Sequence, residues 1–445
     1  MEDRRSPPGP PGYLIVGRLP IVGARDALGT LVRWAREYGD VVYYRVLTIH
    51  VYFLNHPADV ESVLVTNNRN FQKGQGLVAN KRLFGNGLLT SEGDFWLRQR
   101  RLTQPAFHRE RVAAYGEIMV RHALNMLEKW HDGEARDAHQ EMMEVTLAIA
   151  AESLFHADVQ GLGPTIARSL DALTRFNSTG QVLMPVIRSL PTPPRIRYVR
   201  AIKVLDRIVY RIIQERRSSG RDEGDLLSLL LQARDENGSG MDDRQLRDET
   251  ITLLLAGHET TAVTLSWTWY LLAQNPAVQQ KLVDEIKGAL RGAPPRAEDV
   301  IRLPYTESVI KESMRLYPPA WAVARRSLHE FEVRGYRVRK GASVAVSQWV
   351  LHRDPRFWSA PEEFRPERWL DGSTRALPKF AYFPFGGGPR ICIGNAFAMM
   401  EATLLLATVA QRFRLEVAPQ ARIEPLPAIT LRPRFGIPVV VRRRK

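Results

Sequence analysis

Apolar residues recur at three- and four-residue spacing through the middle of the chain, a period that predicts amphipathic α-helices. The clearest segments run from Arg109 to Trp130, Ala138 to Phe155, Arg195 to Arg217 and Asp242 to Gln274. The last segment is about three times as long as an average helix, and its centre is apolar. We therefore predict that this helix crosses the core of the protein.

Shorter runs of apolar and β-branched residues lie near both ends of the chain and predict strands. They are Val41 to Arg45, His50 to Leu54, Phe331 to Val338, Ser343 to Val346 and Val439 to Val441. The first two are joined by a short turn and predict a hairpin. Further helices are expected after Pro304 and after Gly394, with a coil rich in proline and arginine from Pro355 to Phe385 between them. We predict a mainly α fold with a small β-rich portion: a proline-rich N-terminal segment over residues 1–12, then a single domain over residues 13–445.

The composition is that of a globular protein, because 44% of the 445 residues are hydrophobic and 25% are charged. There is one cysteine, Cys392. A single cysteine excludes an intramolecular disulfide, a CxxC redox pair and any zinc or iron–sulfur site built from several cysteines. Three roles stay open for this thiol: a buried filler, a reactive nucleophile, or one ligand to a group held mainly by other forces.

The formal net charge is +15, which favours contact with nucleic acid, anionic membranes or acidic proteins. The charge is spread along the chain, and no zinc-finger or RNP-type motif accompanies it, so we do not expect nucleic-acid binding. The longest charge-free stretch, Thr260 to Gln280, contains Asn275 and Pro276 and is not typical of a membrane span. We expect a cytoplasmic protein without a membrane anchor in this chain.

A glycine-rich run surrounds the cysteine. It reads Phe383-Pro384-Phe385-Gly386-Gly387-Gly388-Pro389-Arg390-Ile391-Cys392-Ile393-Gly394. Glycines let the backbone come close to a flat, bulky group. The predicted helix from Ala396 to Arg412 would turn its N-terminus toward Cys392, which favours the thiolate. A thiolate with an arginine two residues away suits an axial ligand for haem iron.

The pattern Phe385-x-x-Gly388-x-Arg390-x-Cys392-x-Gly394 resembles the haem-binding loop of the cytochrome P450 family, in particular its soluble bacterial members. The alternative is a glycine-rich turn around a buried cysteine. The resemblance extends from Pro7 to the end of the chain and implies a P450-like single domain with a long central helix. It also implies a haem b whose iron is bound by Cys392, with Gly388 beside the haem.

A second motif interrupts the long helix, Ala256-Gly257-His258-Glu259-Thr260-Thr261. Burying polar residues in an apolar helix costs free energy unless they form hydrogen bonds or serve a function. The resemblance gives them the role of an oxygen-activation groove, in which Thr260 holds dioxygen and a water while Glu259 helps to deliver protons. The alternatives are a satisfied core pair of His258 and Glu259 or a fragment of a zinc motif. The second histidine that HExxH requires is missing, which excludes the zinc motif.

Glu312 and Arg315 are three residues apart on the helix after Pro304 and can form an ion pair. Such a pair alone is a common surface feature. The resemblance adds Arg368, in Phe364-Arg365-Pro366-Glu367-Arg368-Trp369, as a second arginine on the same carboxylate behind the haem loop. The implied role of the three residues is structural.

Four residues match positions that bind the haem propionates in the family: Trp96, Arg100, Arg325 and Arg390. Arginine suits this task because its guanidinium fits a carboxylate. Each of the three arginines could instead be a solvated surface charge, and Arg326 could replace Arg325. Alignment with the family also places five apolar residues in the substrate pocket, for which ordinary core packing is the alternative: Leu89, Ala256, Ala320, Val323 and Ile429.

The resemblance implies a haem-thiolate monooxygenase that inserts one oxygen atom from O2 into a hydrophobic substrate, by hydroxylation or epoxidation, with a lipid-like or terpenoid substrate favoured. No segment binds flavin or an iron–sulfur cluster, so electrons would come from a ferredoxin or flavodoxin with its reductase, and Arg98 and Arg101 would attract an acidic partner. A peroxide-driven peroxygenase and a haem-thiolate isomerase are disfavoured because Glu259 and Thr260 are present. A haem-binding gas sensor would need an output module, and the sequence reveals none.

Overall fold

The computed structural model describes residues 6–10, 26–46, 48–157, 161–178, 191–234 and 238–444. Helices make up most of this part of the chain. The α-helices are α1 (Ala27–Tyr38), α2 (Pro57–Glu61), α3 (Gln75–Val78), α4 (Lys81–Phe84), α5 (Gly93–Thr103), α6 (Arg109–Ala114), α7 (Gly116–Leu127), α8 (Ala138–Phe155), α9 (Gly163–Ser178), α10 (Pro193–Ser219), α11 (Leu226–Gln232), α12 (Asp243–Gln274), α13 (Pro276–Leu290), α14 (Pro304–Leu316), α15 (Gln348–Leu351) and α16 (Asn395–Arg412). Short 3₁₀ turns include Pro366–Trp369, Lys379–Ala381 and Gly388–Arg390.

The strands are short and form small sheets. They are β1 (Val41–Val46), β2 (Ile49–Leu54), β3 (Phe71–Lys73), β4 (Ala135–Asp137), β5 (Val323–Ser327), β6 (Phe331–Val333), β7 (Tyr336–Val338), β8 (Ser343–Val346), β9 (Phe413–Val417), β10 (Pro425–Pro427), β11 (Leu431–Pro433) and β12 (Pro438–Arg443). The largest sheet has the order β1-β2-β8-β5-β3, in which only β2 and β8 are parallel. β4, β12 and β9 form a second antiparallel sheet, and β10 pairs with β11, as β6 does with β7. Helices and small sheets together give the mainly α fold that the sequence predicts.

Helix α12 is the centre of the fold. The side chain of Asp242 caps its N-terminus by accepting a hydrogen bond from Gln245 N at 2.7 Å. The helix ends at Gln274 because Pro276, which has no backbone N–H, starts the next helix. Between these ends it packs most extensively on α8 and also on α10, α14 and α16. The apolar centre is therefore buried on several sides, as the sequence predicts.

The predicted elements differ from the observed ones in three places. The helix expected from Arg109 to Trp130 is two helices, α6 and α7, which meet where Gly116 packs closely on Ala297. The strand expected from Phe331 to Val338 is a hairpin, because Arg334 and Gly335 both have positive φ and turn the chain back. The coil from 355 to 385 contains the two 3₁₀ turns at Pro366–Trp369 and Lys379–Ala381.

The sequence predicts a separate N-terminal segment and no membrane anchor in this chain. In the N-terminal segment, Pro8 O accepts a hydrogen bond from Tyr43 N at 2.8 Å, while residues 1–5 and 11–12 lie outside the described residues. The division into residues 1–12 and 13–445 stays a prediction. Within the described ranges, no helix combines the length and apolar character needed to cross a membrane.

Candidate active site

A cavity of about 1060 Å³ lies between α12, the cysteine loop and the β10–β11 hairpin. Its walls are mainly apolar, and its size is at the upper end of the range for small-molecule sites. Cys392 borders it on one side, and Ala256 and Thr260 of α12 border it on another. The five residues that the sequence predicts for the substrate pocket all line it: Leu89, Ala256, Ala320, Val323 and Ile429. The cavity therefore has room for a large cofactor beside an apolar substrate.

The loop before Cys392 passes so close to a neighbouring segment at one position that no side chain fits there. Gly388 has a φ of 66°, and a Cβ atom there would lie 1.9 Å from Leu64 O. Cys392 N donates a hydrogen bond to Phe385 O at 3.0 Å, which closes the loop. The glycine run thus brings the loop against the segment around Leu64 and turns the cysteine toward the cavity.

Cys392 is accessible to solvent, and it lines the cavity. Burial raises the pKa of the Cys392 thiol, although the backbone N–H of Gly394 and the charge of Arg100 oppose this rise. The helix N-terminus therefore acts on the sulfur as predicted but does not by itself favour the thiolate. A metal ion bound to the sulfur would remove the proton.

A cluster of cations lies where the sequence predicts the propionate partners. Arg390 Cζ lies 5.5 Å from the ring centre of buried Trp96, and Arg390 Nη2 lies 2.5 Å from Glu92 Oε2. Arg325 lines the cavity, whereas its neighbour Arg326 does not. Burial and the charge of Arg390 lower the pKa of Arg325 to about 10, against the opposing effect of Glu92.

Lys73 joins this cluster and was not found by the sequence reasoning. Its Nζ donates to Leu88 O at 2.9 Å and to Ser91 O at 2.6 Å, and burial lowers its pKa to about 7 although Glu92 opposes this. Lys73 lies opposite Arg325 because β3 pairs with β5. At this position the sequence has only a lysine before a glycine, and this pattern does not predict that β3 pairs with β5.

The cluster fits a haem. Lys73, Arg325 and Arg390 lie around Glu92, and buried Glu249 also acts on Lys73, so cations outnumber carboxylates in this largely buried place. Two propionate carboxylates would balance this excess. Arg100 adds a further guanidinium that donates from Nη1 to Ile391 O at 2.9 Å, next to the cysteine. The donors, the glycine loop and the cysteine therefore match the shape and charge of the group that the sequence predicts.

The polar residues of α12 lie at the cavity edge. Thr260 Oγ1 donates to Ala256 O at 2.7 Å. Glu259 is held from the β10–β11 hairpin, since Thr430 Oγ1 donates to Glu259 Oε1 at 2.5 Å and Arg432 Nε donates to the same oxygen at 2.8 Å. Burial opposes ionisation, but the charge of Arg432 and these hydrogen bonds lower the pKa of Glu259 to about 2. The sequence reasoning did not identify Arg432 as the partner of this acid.

The structure brings Glu312, Arg315 and Arg368 together in the interior. Arg315 Nη2 and Arg368 Nε each lie 2.9 Å from Glu312 Oε1, and all three side chains are almost fully buried. Trp369 Nε1 donates to Glu312 Oε2 at 3.0 Å, and Arg315 Nη1 donates to His352 O at 2.9 Å. These bonds tie α14 to the coil that leads into the cysteine loop.

Comparison with known proteins supports the family resemblance that the sequence indicates, over nearly the whole chain. The family model described as Cytochrome P450 matches residues 7–435. The chain is 38% identical to "Cyclooctatin synthase" of Streptomyces melanosporofaciens over 426 residues, 93% of this chain and 92% of that protein. It is 37% identical to "Cyclooctat-9-en-7-ol 5-monooxygenase" of the same organism, over 91% of this chain and 89% of that protein. It is 35% identical to "Pentalenene oxygenase" of Streptomyces avermitilis, over 88% of both chains.

Proposed function

The chain belongs to the cytochrome P450 family, and we propose that it oxidises a terpenoid or a similarly rigid apolar molecule. Family membership makes it a haem-thiolate monooxygenase that uses O2 and a separate redox partner. The substrate class is supported by the mainly apolar cavity and by the names of similar proteins, which include a cyclooctat-9-en-7-ol monooxygenase and a pentalenene oxygenase. The apolar cavity bordered by Cys392 is the observation that carries the proposal.

In this proposal the haem iron binds Cys392 Sγ. Arg100, Arg325, Arg390 and Lys73 bind the propionates, with Trp96 packed beside them. Gly388 does not line the cavity and instead lets the cysteine loop pack against Leu64 O. When bound, the haem supplies the iron at which O2 is bound and reduced. The surrounding chain holds the cofactor in one orientation and keeps the substrate side apolar.

Thr260 and Glu259 are the proposed proton-handling pair. The Thr260 hydroxyl donates to Ala256 O, which leaves its oxygen able to accept a hydrogen bond from a water in the cavity. Glu259 is ionised at neutral pH and can accept one proton at a carboxylate oxygen. Passing that proton on requires Glu259 to give up its contacts with Arg432 and Thr430, so the hairpin regulates when the acid is available.

Five apolar side chains are the proposed substrate contacts. Ala256 and Ala320 are small and leave room, whereas Leu89, Val323 and Ile429 are larger and limit the shape of the molecule that fits. The walls that these residues form exclude water from the bond to be oxidised. A rigid apolar substrate loses little conformational freedom in such a cavity.

The electron donor is proposed to be a ferredoxin or flavodoxin with its reductase. Helix α5 carries Arg98 and Arg101 on either side of Arg100, whose contact with Ile391 O places this helix beside the cysteine loop. These cations would attract an acidic donor, and the reduction rate would fall as salt rises. A cytoplasmic location, where such donors occur, also stays a prediction.

The proposal is tested first by spectroscopy and then by turnover. The reduced, carbon-monoxide-bound protein should have the Soret band of a thiolate-ligated haem, and a histidine-type band would contradict the assignment of Cys392. A panel of apolar terpenoids should include one that shifts the haem spin state and is oxidised. If fatty acids alone do both, the substrate class is wrong.

Replacement of Thr260 tests the reaction type. The variant Thr260→Ala should consume O2 with less product per O2, because it lacks the hydroxyl at the cavity. The control is Thr268→Ala on the same helix, whose hydroxyl donates to Thr264 O at 2.8 Å away from the cavity. Equal product yields from both variants would contradict the role of Thr260, and efficient turnover with peroxide in place of an electron donor would favour the peroxygenase.

A further inference from the structure

Seven side chains of helix α12 carry a hydroxyl group, and five of these hydroxyls form hydrogen bonds within the helix. Each of the five donates to the carbonyl oxygen four residues earlier, which is the usual bond of a serine or threonine in a helix. They belong to Thr260, Thr261, Thr264, Ser266 and Thr268. Of the other two, Thr252 lines the cavity and Thr250 does not. Thr252 therefore brings to the cavity wall a hydroxyl that the helix leaves without a bond.

The side chain of Thr252 is buried. Only 2% of its surface is exposed, and no described residue forms a hydrogen bond with its Oγ1. A buried hydroxyl without a partner lowers the stability of a protein, so its presence requires a specific reason. Because Thr252 lies on the wall of the candidate substrate cavity, a molecule bound there can supply the partner.

A second polar atom of this kind belongs to Asn80, which directly precedes α4. Asn80 lines the cavity, is 5% exposed, and donates from Nδ2 to Gly76 O at 3.1 Å. This bond fixes the orientation of the amide, and Oδ1 has no partner among the described residues. Since α4 packs on α12, the two atoms lie on adjoining elements. Gln348 also lines the cavity with an amide that no described residue bonds, but it belongs to α15, which packs on α1 and α14.

The position of Thr252 on α12 relates it to the proposed proton-handling pair. Thr252, Ala256 and Thr260 are spaced four residues apart, and all three line the cavity from one face of the helix. At a rise of about 1.5 Å per residue, Thr252 lies about 12 Å from Thr260 along the helix axis. A substrate that contacts both threonines therefore has a polar group at one end and the bond to be oxidised at the other.

We propose that Thr252 and Asn80 bind a hydroxyl group that the substrate already carries, so that the substrate is a terpenoid alcohol. This inference rests on the proposed oxidation of terpenoids. A hydroxyl can accept a hydrogen bond from Thr252 Oγ1 and donate one to Asn80 Oδ1, whereas a ketone can only accept and a hydrocarbon does neither. A hydrocarbon would leave both buried atoms without partners, which disfavours its binding. The substrate is then the product of an earlier reaction that installed the hydroxyl.

The experiment measures the affinity of the haem-loaded protein for matched pairs of terpenoids, by the shift of the haem spin state and by calorimetry. Each pair is an alcohol and its parent hydrocarbon, such as cedrol with cedrane and borneol with bornane. The variant Thr252→Val keeps the shape of the side chain without the hydroxyl. In at least one pair it should weaken binding of the alcohol about tenfold more than binding of the hydrocarbon. Thr252→Ser keeps the hydroxyl and should bind the pair like the unmodified protein.

The two ways in which this test can fail are distinct. If Thr252→Val changes the affinities for alcohol and hydrocarbon equally in every pair that binds, the proposed hydroxyl contact is overturned, while the oxidation of terpenoids stands. If no terpenoid of either kind binds to the unmodified protein, the proposed substrate class is wrong, and the hydroxyl contact is overturned with it.

Thr264→Val is the matched control. Thr264 lies on the same helix, lines the same cavity and is 5% exposed, but its hydroxyl already donates to Thr260 O at 3.0 Å. This variant should keep the relative affinity for the two members of each pair. In urea unfolding, Thr264→Val should lose stability with its hydrogen bond, whereas Thr252→Val should lose none, because no described residue bonds the Thr252 hydroxyl. An equal loss of stability in both variants would overturn the proposal, since the Thr252 hydroxyl would then be bonded within the protein.

Discussion

Arg432 Nη2 lies 2.8 Å from Glu259 Oε2, so the acid beside Thr260 is paired with a cation on the β10–β11 hairpin. The same hairpin carries Ile429 in the cavity wall and Thr430, which also bonds to Glu259. A substrate that contacts Ile429 is therefore next to Thr430, which donates a hydrogen bond to Glu259. The β10–β11 hairpin therefore connects the binding of substrate in the cavity with the contacts of Glu259.

Removal of the Arg432 charge should raise the pKa of Glu259. Arg432 is the largest influence that lowers this pKa to about 2, and burial acts in the opposite direction. In the variant Arg432→Gln, the acid should therefore take up a proton on mild acidification, at a pH where the unmodified protein keeps it ionised. Infrared spectra of the carboxylic acid band between neutral and acidic pH, with Glu259→Gln to identify the band, measure this change.

The variant Arg432→Lys is the control, because it keeps the positive charge and should keep the pKa low. The stability effect has a defined sign as well. A carboxyl whose pKa is lowered from 4.5 to about 2 in the folded state contributes to the free energy of unfolding above pH 4.5 and loses that contribution as the pH falls toward 2. The stability difference between Arg432→Gln and the unmodified protein should therefore shrink over this range, and a constant difference would contradict the pairing.

Sequence reasoning found the parts of the site that are close together in the chain. The 3.6-residue period located helix α12 to within one residue, since the helix begins at Asp243 where Asp242 was predicted. The loop from Phe385 to Gly394 was found because the spacing of its residues is short and fixed, whereas the pair Glu312 and Arg315 differs from a common surface ion pair only through the resemblance to the family. Arg368, more than fifty residues from Glu312, was placed only by resemblance to the family.

Lys73 and Arg432 were missed for one physical reason. Lys73 reaches the cation cluster because β3 pairs with β5, and Arg432 reaches Glu259 because β11 lies against α12. Both contacts depend on where a short strand lies relative to an element that is distant in the sequence, a strand for Lys73 and a helix for Arg432. Three-residue strands carry too few alternating positions for the sequence to specify their partners.

Loss of the Glu312 carboxylate should strongly destabilise the fold. In Glu312→Gln, the guanidiniums of Arg315 and Arg368 stay buried without the carboxylate that lies 2.9 Å from each. Breaking a buried ion pair on one side costs about 3–5 kcal/mol. Urea unfolding measures the loss. The control Glu307→Gln breaks a half-exposed pair with Lys311 on the same helix and should cost less than about 1 kcal/mol, so equal costs would contradict the network.

Arg325 and Arg326 provide a direct test of the propionate partners. Arg325 lines the cavity near Arg390, whereas its neighbour Arg326 does not line it. The variant Arg325→Gln should release haem to excess apomyoglobin about tenfold faster, because a charge-assisted hydrogen bond is lost. Arg326→Gln should release haem at the unmodified rate. Equal rates of haem release for the two variants would show that Arg325 does not bind the haem.

Gly388 should tolerate no side chain, in contrast to Gly386 in the same loop. Both have positive φ, 66° and 73°, so alanine at either position strains the backbone by about 1–3 kcal/mol. At Gly388 the added Cβ would also lie 1.9 Å from Leu64 O, while at Gly386 nothing lies within 4 Å. Gly388→Ala should therefore lose more free energy of unfolding than Gly386→Ala and should also bind less haem, because relieving the clash moves the loop that carries Cys392. Urea unfolding of both variants and the haem content of Gly388→Ala measure these effects. Similar free energies of unfolding for the two variants would show that the contact with Leu64 does not position the cysteine loop.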